Sequence, residues 1–149
     1  MHVVIGADQG GYDLKRHVAE YLIAQGYQVE DVGTYSLESV DYPDIAAPLA
    51  RAVATGEFER GILICGTGIG MSMAANKIHG VRAAVCVNSY MARMARQDND
   101  ANILCMGGRV VGPGLALDIV QTFLESEFAA GRHARRVSKI GALEDGQNG

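Results

Sequence analysis

The sequence predicts a single-domain, three-layer α/β/α fold of the Rossmann-like type, with a five-stranded parallel sheet between two layers of helices. Short apolar runs alternate with longer segments of helical period along the chain, and strands that alternate with helices form parallel sheets. The 149 residues suit one domain, and the 19 glycines suit its many turns. We place this domain over residues 1–149, with a disordered tail from about residue 144.

The first half of the chain has the pattern of three strands separated by two helices. Apolar residues recur every four positions after the first strand, which indicates a helix that ends at Gly26. A second helix is predicted where Asp41 is a cap candidate ahead of Pro43, and Gly56 ends it. Pro48 is expected to bend or shorten this helix. The strands are predicted at 2–6, 28–32 and 61–65.

The second half continues the alternation of helices and strands. Pro113 begins a helix whose apolar residues, spaced by four, lie on one face. Strict alternation implies right-handed crossovers between parallel strands. Strands are predicted at 81–87 and 102–106, and further helices at 71–77, around 90–94 and at 133–143.

Composition excludes several classes of function. The net charge of -4 lacks the basic excess that nucleic-acid binding demands. The chain has no apolar run of the ~20 residues that cross a bilayer and no signal-peptide start, so we expect a cytoplasmic protein without membrane partners. The three cysteines have neither disulfide nor zinc-site spacing, so we expect reduced thiols and no metal.

Three turns are candidates for the functional site, because ligands bind beyond the carboxyl ends of the strands in such a sheet. The first strand leads to Asp8, the third ends at Cys65, and the fifth leads to Arg109. These turns place a carboxylate, a thiol and a guanidinium near one rim of the sheet.

The turn after Cys65 is the most informative. Its three glycines, at 66, 68 and 70, let successive backbone N–H groups face an anion, and the same field stabilises a thiolate. A strand cysteine is usually a small core residue, but this glycine context favours Cys65 as a general base. Cys86 and Cys105 lie within apolar runs and are interpreted as core residues.

Other cysteine and nucleotide sites fit the sequence less well. A low-molecular-weight phosphatase needs arginine six positions after its cysteine, where this chain has Met71. A receiver domain needs an aspartate where Cys65 stands. A dinucleotide-binding turn has the pattern G-x-G-x-x-G, from which Gly6 and its neighbours depart. Asp31 keeps that last alternative open.

Arginines near the C-terminus are candidates for binding an anion. Arg132 and Arg136 are four residues apart and share a helix face beside Arg135. A solvated basic face is the alternative. Together with Arg109, the spacing favours a phosphate contact.

Seven short motifs occur in a characteristic order over nearly the whole chain. Together they resemble the type B ribose-5-phosphate isomerase family, which also includes galactose-6-phosphate isomerase. The motifs are Gly6-Ala7-Asp8, Asp41-Tyr42-Pro43, Ile64-Cys65-Gly66-Thr67-Gly68-Ile69-Gly70, Ala74-Ala75-Asn76-Lys77, Asn99-Asp100-Ala101-Asn102, Gly108-Arg109-Val110-Val111-Gly112 and Gly131-Arg132-His133.

The resemblance implies a role for each residue at a position of the family's site. Cys65 would move a proton between neighbouring carbons through a cis-enediolate, whose charge the turn amides would hold. Thr67 and Asp8 would transfer hydroxyl protons. The substrate-binding residues would be Gln9, Tyr42, Gly66, Gly68, Ile69, Gly70, Asp98 and Asn99, and the phosphate-binding residues Arg109, Arg132 and Arg136.

The implied function is aldose–ketose isomerisation of a small phosphorylated sugar, by default ribose 5-phosphate in the pentose phosphate pathway. We also expect that no cofactor or metal is needed, because no His, Cys or carboxylate cluster has metal-ligand spacing and the turn amides would stabilise the enediolate. The resemblance further implies a homodimer or tetramer whose pockets are built from two subunits.

Two departures from the family pattern leave the substrate open. Gln9 and Asp98 stand where the family commonly has histidines, and the second of these is associated with ring opening. Neither an amide nor an exposed carboxylate replaces an imidazole near neutral pH. A tetrose, with erythrulose 4-phosphate and erythrose 4-phosphate as substrates, needs no ring opening and is the alternative. A non-catalytic sugar-phosphate-binding subunit is a further alternative, against which the presence of Cys65 argues.

Overall fold

The computed structural model describes residues 1–146 and contains one sheet of five parallel strands with order β2-β1-β3-β5-β4. This confirms the predicted sheet. The fourth strand, predicted at 81–87, has only three residues because it lies at an edge and pairs with one neighbour. The strands are β1 (His2–Ala7), β2 (Gln28–Asp31), β3 (Arg60–Cys65), β4 (Ala83–Val85) and β5 (Ile103–Gly107).

Helices cover both faces of the sheet. They are α1 (Tyr12–Ala24), α2 (Tyr42–Ala54), α3 (Ile69–Ala75), α4 (Ser89–Gln97), α5 (Pro113–Glu125) and α6 (Arg132–Gly146). No helix among residues 1–146 has the length and apolar character to cross a membrane.

Two helices differ from the sequence-based expectation. α2 continues through Pro48 to Ala54, so the proline does not shorten it, because Leu49 and Val53 beyond it are buried in the core. α6 includes residues 144–146 of the expected tail, and Glu144 accepts hydrogen bonds of 3.1 Å from the Gly80 N–H. The rest of that tail, 147–149, lies outside the described residues.

Two apolar cores lie on opposite faces of the sheet, and β3 contributes to both. Ile62 and Ile64 pack with α1, α4 and α5, whereas Leu63 and Cys65 pack with α2 and α3. The Cys65 side chain therefore lies on the α2/α3 side at the carboxyl end of its strand. α6 has no buried residue and lies outside both cores.

Candidate active site

The turns after β1, β3 and β5 meet at the carboxyl edge of the sheet, as the sequence predicts. The Asp8 N–H donates to the carbonyl of the β3 residue before Cys65, at 3.2 Å. The N–H groups of Gly108 and Arg109 donate to the carbonyls of Cys65 and Gly66, at 2.8 and 3.1 Å. Backbone hydrogen bonds thus hold the thiol, the carboxylate and the guanidinium in one place.

Glycine is needed where these turns touch. A Cβ atom on Gly108 would lie 2.3 Å from the Gly10 carbonyl oxygen, and one on Gly10 would lie 2.8 Å from the Gly66 nitrogen. Any larger residue would separate the turns. The glycine-rich sequence of the three turns is therefore a packing requirement as well as a source of N–H groups.

The Cys65 thiol accepts a hydrogen bond from the backbone of its own turn. Its Sγ lies 3.1 Å from the nitrogen of Gly68, whose φ of +83° is left-handed, and only 5% of the residue is exposed. An N–H that donates to sulfur stabilises the thiolate over the thiol. Burial raises the pKa of Cys86 to about 11, and it also raises the pKa of Cys105 above the ordinary range of a thiol.

Asp8 and Thr67 contribute side-chain oxygen atoms to the turns that meet at Cys65. Asp8 is 7% exposed, and its Oδ1 accepts from the Gly10 N–H at 2.9 Å. The Thr67 Oγ1 accepts from the Ile69 N–H at 3.2 Å, which leaves its own hydroxyl proton for another partner. Both groups have the chemistry to exchange hydroxyl protons with a ligand.

A cavity of about 500 Å³ opens beside Asp8, and residues 39–44 form its other wall. The ring of Tyr42 covers Gly70, where an added Cβ would lie 2.7 Å from the ring's Cζ. The Gln9 Oε1 accepts from the Val40 N–H at 2.9 Å and so ties this wall to β1. Gln9 therefore shapes the cavity.

Arg109 places a positive charge against the same turn. Its Nη1 would lie 3.0 Å from a Cβ on Gly66, so the guanidinium lies over the glycine backbone. The side chain is exposed and open to an anion. We call Asp8, Cys65, Thr67 and Arg109 with the Gly66–Gly70 turn the carboxyl-edge cluster.

The other predicted site residues lie at the opposite edge of the sheet. α4 joins two parallel strands and so returns to their amino ends, where Asp98 follows it and the Asn102 N–H donates to the Arg82 carbonyl beside β4. β5 spans roughly 13 Å between the two edges, at about 3.3 Å per residue. Within residues 1–146, no hydrogen bond or ion pair connects the two edges of this site.

The start of α6 lies at this amino edge. The Ala129 N–H donates to the Gln97 carbonyl at 3.0 Å, and His133 Nε2 lies 3.4 Å from Asp98 Oδ1. Sequence reasoning did not assign His133 to the site. Its place beside Arg132 was a signal, but the pairing with Asp98 spans 35 positions and only the fold reveals it. The amino-edge cluster comprises Asp98, Asn99, Arg132, His133 and Arg136.

Asp31, the residue that left a dinucleotide-binding site open as an alternative, has partners within the fold. Its Oδ1 accepts from Lys15 Nζ at 2.8 Å and from the Gly33 N–H at 2.9 Å. The carboxylate is therefore engaged within the fold. Across residues 1–146, no group of three or more His, Cys, Asp or Glu side chains could hold a metal ion.

Comparisons with known proteins show the family and the fold of this chain. A family model described as Ribose/Galactose Isomerase matches residues 3–140. Ribose-5-phosphate isomerase B of Escherichia coli is 47% identical, with 98% of each chain covered. D-erythrulose-4-phosphate isomerase of Pectobacterium atrosepticum is 45% identical, with 97% of this chain and 95% of that one covered. The structure of Clostridium thermocellum ribose-5-phosphate isomerase B is 60% identical and superposes with a TM-score of 0.97 over 99% of each chain.

Proposed function

The chain belongs to the ribose/galactose isomerase family, and we propose that it interconverts ribose 5-phosphate and ribulose 5-phosphate through the thiol of Cys65. Two of its relatives are named ribose-5-phosphate isomerase B and D-erythrulose-4-phosphate isomerase, so both are named for isomerisation of a sugar phosphate. The observation that carries the proposal is the Cys65 Sγ at the junction of three glycine turns, 3.1 Å from the Gly68 nitrogen.

The reaction moves one proton between two carbons. The Cys65 thiolate takes the proton from C2 of the open-chain aldose, and the electron pair of that bond forms the C1=C2 double bond while charge develops on O1. The thiol then returns the proton to C1, and the O2 hydroxyl loses its proton as C2 becomes the ketone. Backbone N–H groups of the turn stabilise the enediolate, and Asp8 and Thr67 carry the hydroxyl proton from O2 to O1.

The phosphate needs more positive charge than the carboxyl-edge cluster offers. Arg109 is the arginine of that cluster, whereas Arg132 and Arg136 lie at the far edge of the same chain. The proposed pocket therefore combines the carboxyl-edge cluster of one subunit with the amino-edge cluster of a second copy. A guanidinium binds phosphate strongly when it donates two hydrogen bonds.

Exposed apolar side chains support the proposed homodimer. Ile69 and Met73 of α3 are 51% and 64% exposed, and Ile140 and Leu143 of α6 are 46% and 66% exposed. A cavity of about 510 Å³ separates α6 from β4. Exposed apolar side chains of this kind are candidates for an interface between subunits. A tetramer and a cytoplasmic location stay predictions from the sequence.

A substrate panel in heavy water tests the proposal. We expect the protein to turn over ribose 5-phosphate and to incorporate deuterium at C1 of ribulose 5-phosphate, because the thiol exchanges its proton with solvent. A protein that binds the sugar without any exchange is a binding subunit. Preference for erythrulose 4-phosphate over ribulose 5-phosphate would establish the tetrose alternative, which the 45% identical relative favours.

A further inference from the structure

Ribose 5-phosphate must open before Cys65 can act on it. The sugar is a five-membered cyclic hemiacetal, and proton removal from C2 needs the free aldehyde at C1. Opening requires a group that takes the anomeric hydroxyl proton and supplies one to the ring oxygen, a task that suits imidazole near neutral pH. The carboxyl-edge cluster contains no imidazole, and the Gln9 amide beside it is bonded to the Val40 N–H.

His133 differs from the other histidines in its surroundings. His2 packs against the Phe58 ring at 4.6 Å, and His17 and His79 are exposed. The His133 side chain is only 16% exposed, and its Nε2 lies 3.4 Å from Asp98 Oδ1. A carboxylate on one ring nitrogen orients the imidazole and leaves the other nitrogen for a ligand.

The backbone builds this pair from two separate elements. The Asp98 N–H donates to the Met94 carbonyl at 2.8 Å at the end of α4, and the His133 N–H donates to the Ala130 carbonyl at 3.0 Å at the start of α6. The hydrogen bond between Ala129 and Gln97 joins the two elements at 3.0 Å. These backbone bonds therefore place Asp98 and His133 next to each other within one chain.

We propose that His133, oriented by Asp98, opens the ring of a cyclic pentose phosphate in the pocket shared with a second subunit. The imidazole accepts the proton of the anomeric hydroxyl, and the O1 electron pair forms the C1=O bond. The bond between C1 and the ring oxygen breaks, its electron pair stays on that oxygen, and the imidazolium gives it the proton. Both oxygens are bonded to C1, so one nitrogen can serve them in turn.

The position of His133 in the chain suits this role. The ring oxygen is bonded to C4, which is next to the phosphate-bearing C5. A group that serves that oxygen must therefore lie close to the side chains that hold the phosphate. His133 is adjacent to Arg132 and one helical turn from Arg136 in α6. The inference rests on the proposed function, because it needs these arginines to bind the phosphate.

The test separates ring opening from isomerisation. Exchange between the α and β anomers of ribose 5-phosphate is measured by NMR magnetisation transfer with the Cys65→Ala protein, which lacks the base. We expect the Cys65→Ala protein to accelerate anomer exchange above the rate in buffer alone. In Cys65→Ala/His133→Asn, the exchange rate should be about ten-fold or more lower than in Cys65→Ala and closer to the buffer rate. Cys65→Ala/His17→Asn is the matched control and should exchange as fast as Cys65→Ala, since His17 is exposed on α1.

Asp98→Asn provides a milder variant and a second readout. In the otherwise wild-type chain, Asp98→Asn and His133→Asn should both reduce kcat on ribose 5-phosphate by a larger factor than they reduce turnover of the acyclic erythrose 4-phosphate. Equal losses on both sugars, or unchanged anomer exchange in Cys65→Ala/His133→Asn, would overturn the inference. A wild-type protein that isomerises only the tetrose would overturn it too, whereas one that isomerises neither sugar would overturn the proposed function itself.

Discussion

The three cysteines of this chain lie in different surroundings. Cys65 Sγ receives the Gly68 N–H at 3.1 Å. Cys86 and Cys105 are buried in the apolar cores, and burial raises the pKa of both. The sequence could predict this difference, because the glycine turn and the apolar runs are local patterns.

Cys65→Ala should reduce kcat on the preferred sugar phosphate by about 10²–10⁴-fold, because a positioned proton-transfer group is lost. The binding affinity should change little, since the proposed phosphate contacts are untouched. Steady-state kinetics and isothermal calorimetry measure the two effects. Cys86→Ala, at another buried cysteine, is the control and should keep its turnover. Near wild-type turnover in Cys65→Ala would mean that another group is the base.

Lys15 is a residue whose importance the sequence did not reveal. Its side chain is 1% exposed, and Nζ donates to the Asp31 carboxylate and the Thr34 carbonyl between the rings of Tyr12 and Tyr35. Residues 33–34 in turn exchange backbone hydrogen bonds of 2.7 and 2.6 Å with Ala7, directly before Asp8. A lysine on an amphipathic helix is usually solvated. The burial of Lys15 is therefore visible only in the packing of the loop against α1.

Lys15→Met should lower the free energy of unfolding by about 2–4 kcal/mol. The substitution removes a buried hydrogen-bonded charge, and its acceptors on Asp31 and Thr34 lose their hydrogen bonds to it. Urea denaturation monitored by circular dichroism measures the change. Arg16→Met, at an exposed position of the same helix, should shift stability by about 0.5 kcal/mol or less. If Lys15→Met changed the free energy of unfolding as little as Arg16→Met, the loop at residues 33–34 would be stabilised by other contacts.

At the scale of elements, alternating strands and helices were predictable because period and glycine placement are local. The bounds of strands and helices were harder to predict where tertiary packing determines them. β4 is short because the edge of the sheet gives it one partner, and α2 passes Pro48 because Leu49 and Val53 remain in the core. α6 extends to Gly146 although it buries no residue, and its Ile140 and Leu143 side chains are exposed.

Gly108→Ala should separate the turns of β5 and β1, because the new Cβ would lie 2.3 Å from the Gly10 carbonyl oxygen. We expect a loss of about 1–3 kcal/mol in stability and a reduced kcat, since Arg109 and the Cys65 turn share hydrogen bonds there. Thermal unfolding and steady-state kinetics test both. Gly114→Ala, where a Cβ meets nothing within 4 Å in α5, should keep activity and gain slightly in stability. Full activity in Gly108→Ala would show that the turns tolerate separation.

At the scale of the molecule, the proposed site residues divide between two edges of one sheet. The sequence predicted that Asp8, Cys65 and Arg109 would meet, since each follows the carboxyl end of a strand. The sequence did not predict that Asp98 would lie at the other edge of the sheet from these three residues. A helix between parallel strands returns to the amino edge, so Asp98 after α4 lies far from Cys65 within one chain. The contact of α6 with α4 then depends on residues 35 positions apart, for which the sequence holds no local signal.

Two inactive variants should restore each other if the pocket is shared. Cys65→Ala damages the carboxyl-edge cluster and Arg136→Ala damages the amino-edge cluster, so a mixed dimer has one pocket with both changes and one with neither. Refolding equal amounts together should give intact pockets at about one quarter of the sites, by random pairing in a twofold dimer. The isomerase rate should then approach a quarter of the wild-type value.

Mixing Cys65→Ala with Thr67→Ala is the control. Both changes lie in the carboxyl-edge cluster, so every pocket keeps a defect and the rate stays low. If the Cys65→Ala and Arg136→Ala mixture also stays low while both chains exchange, each pocket belongs to one chain, and Arg136 acts elsewhere than on the phosphate.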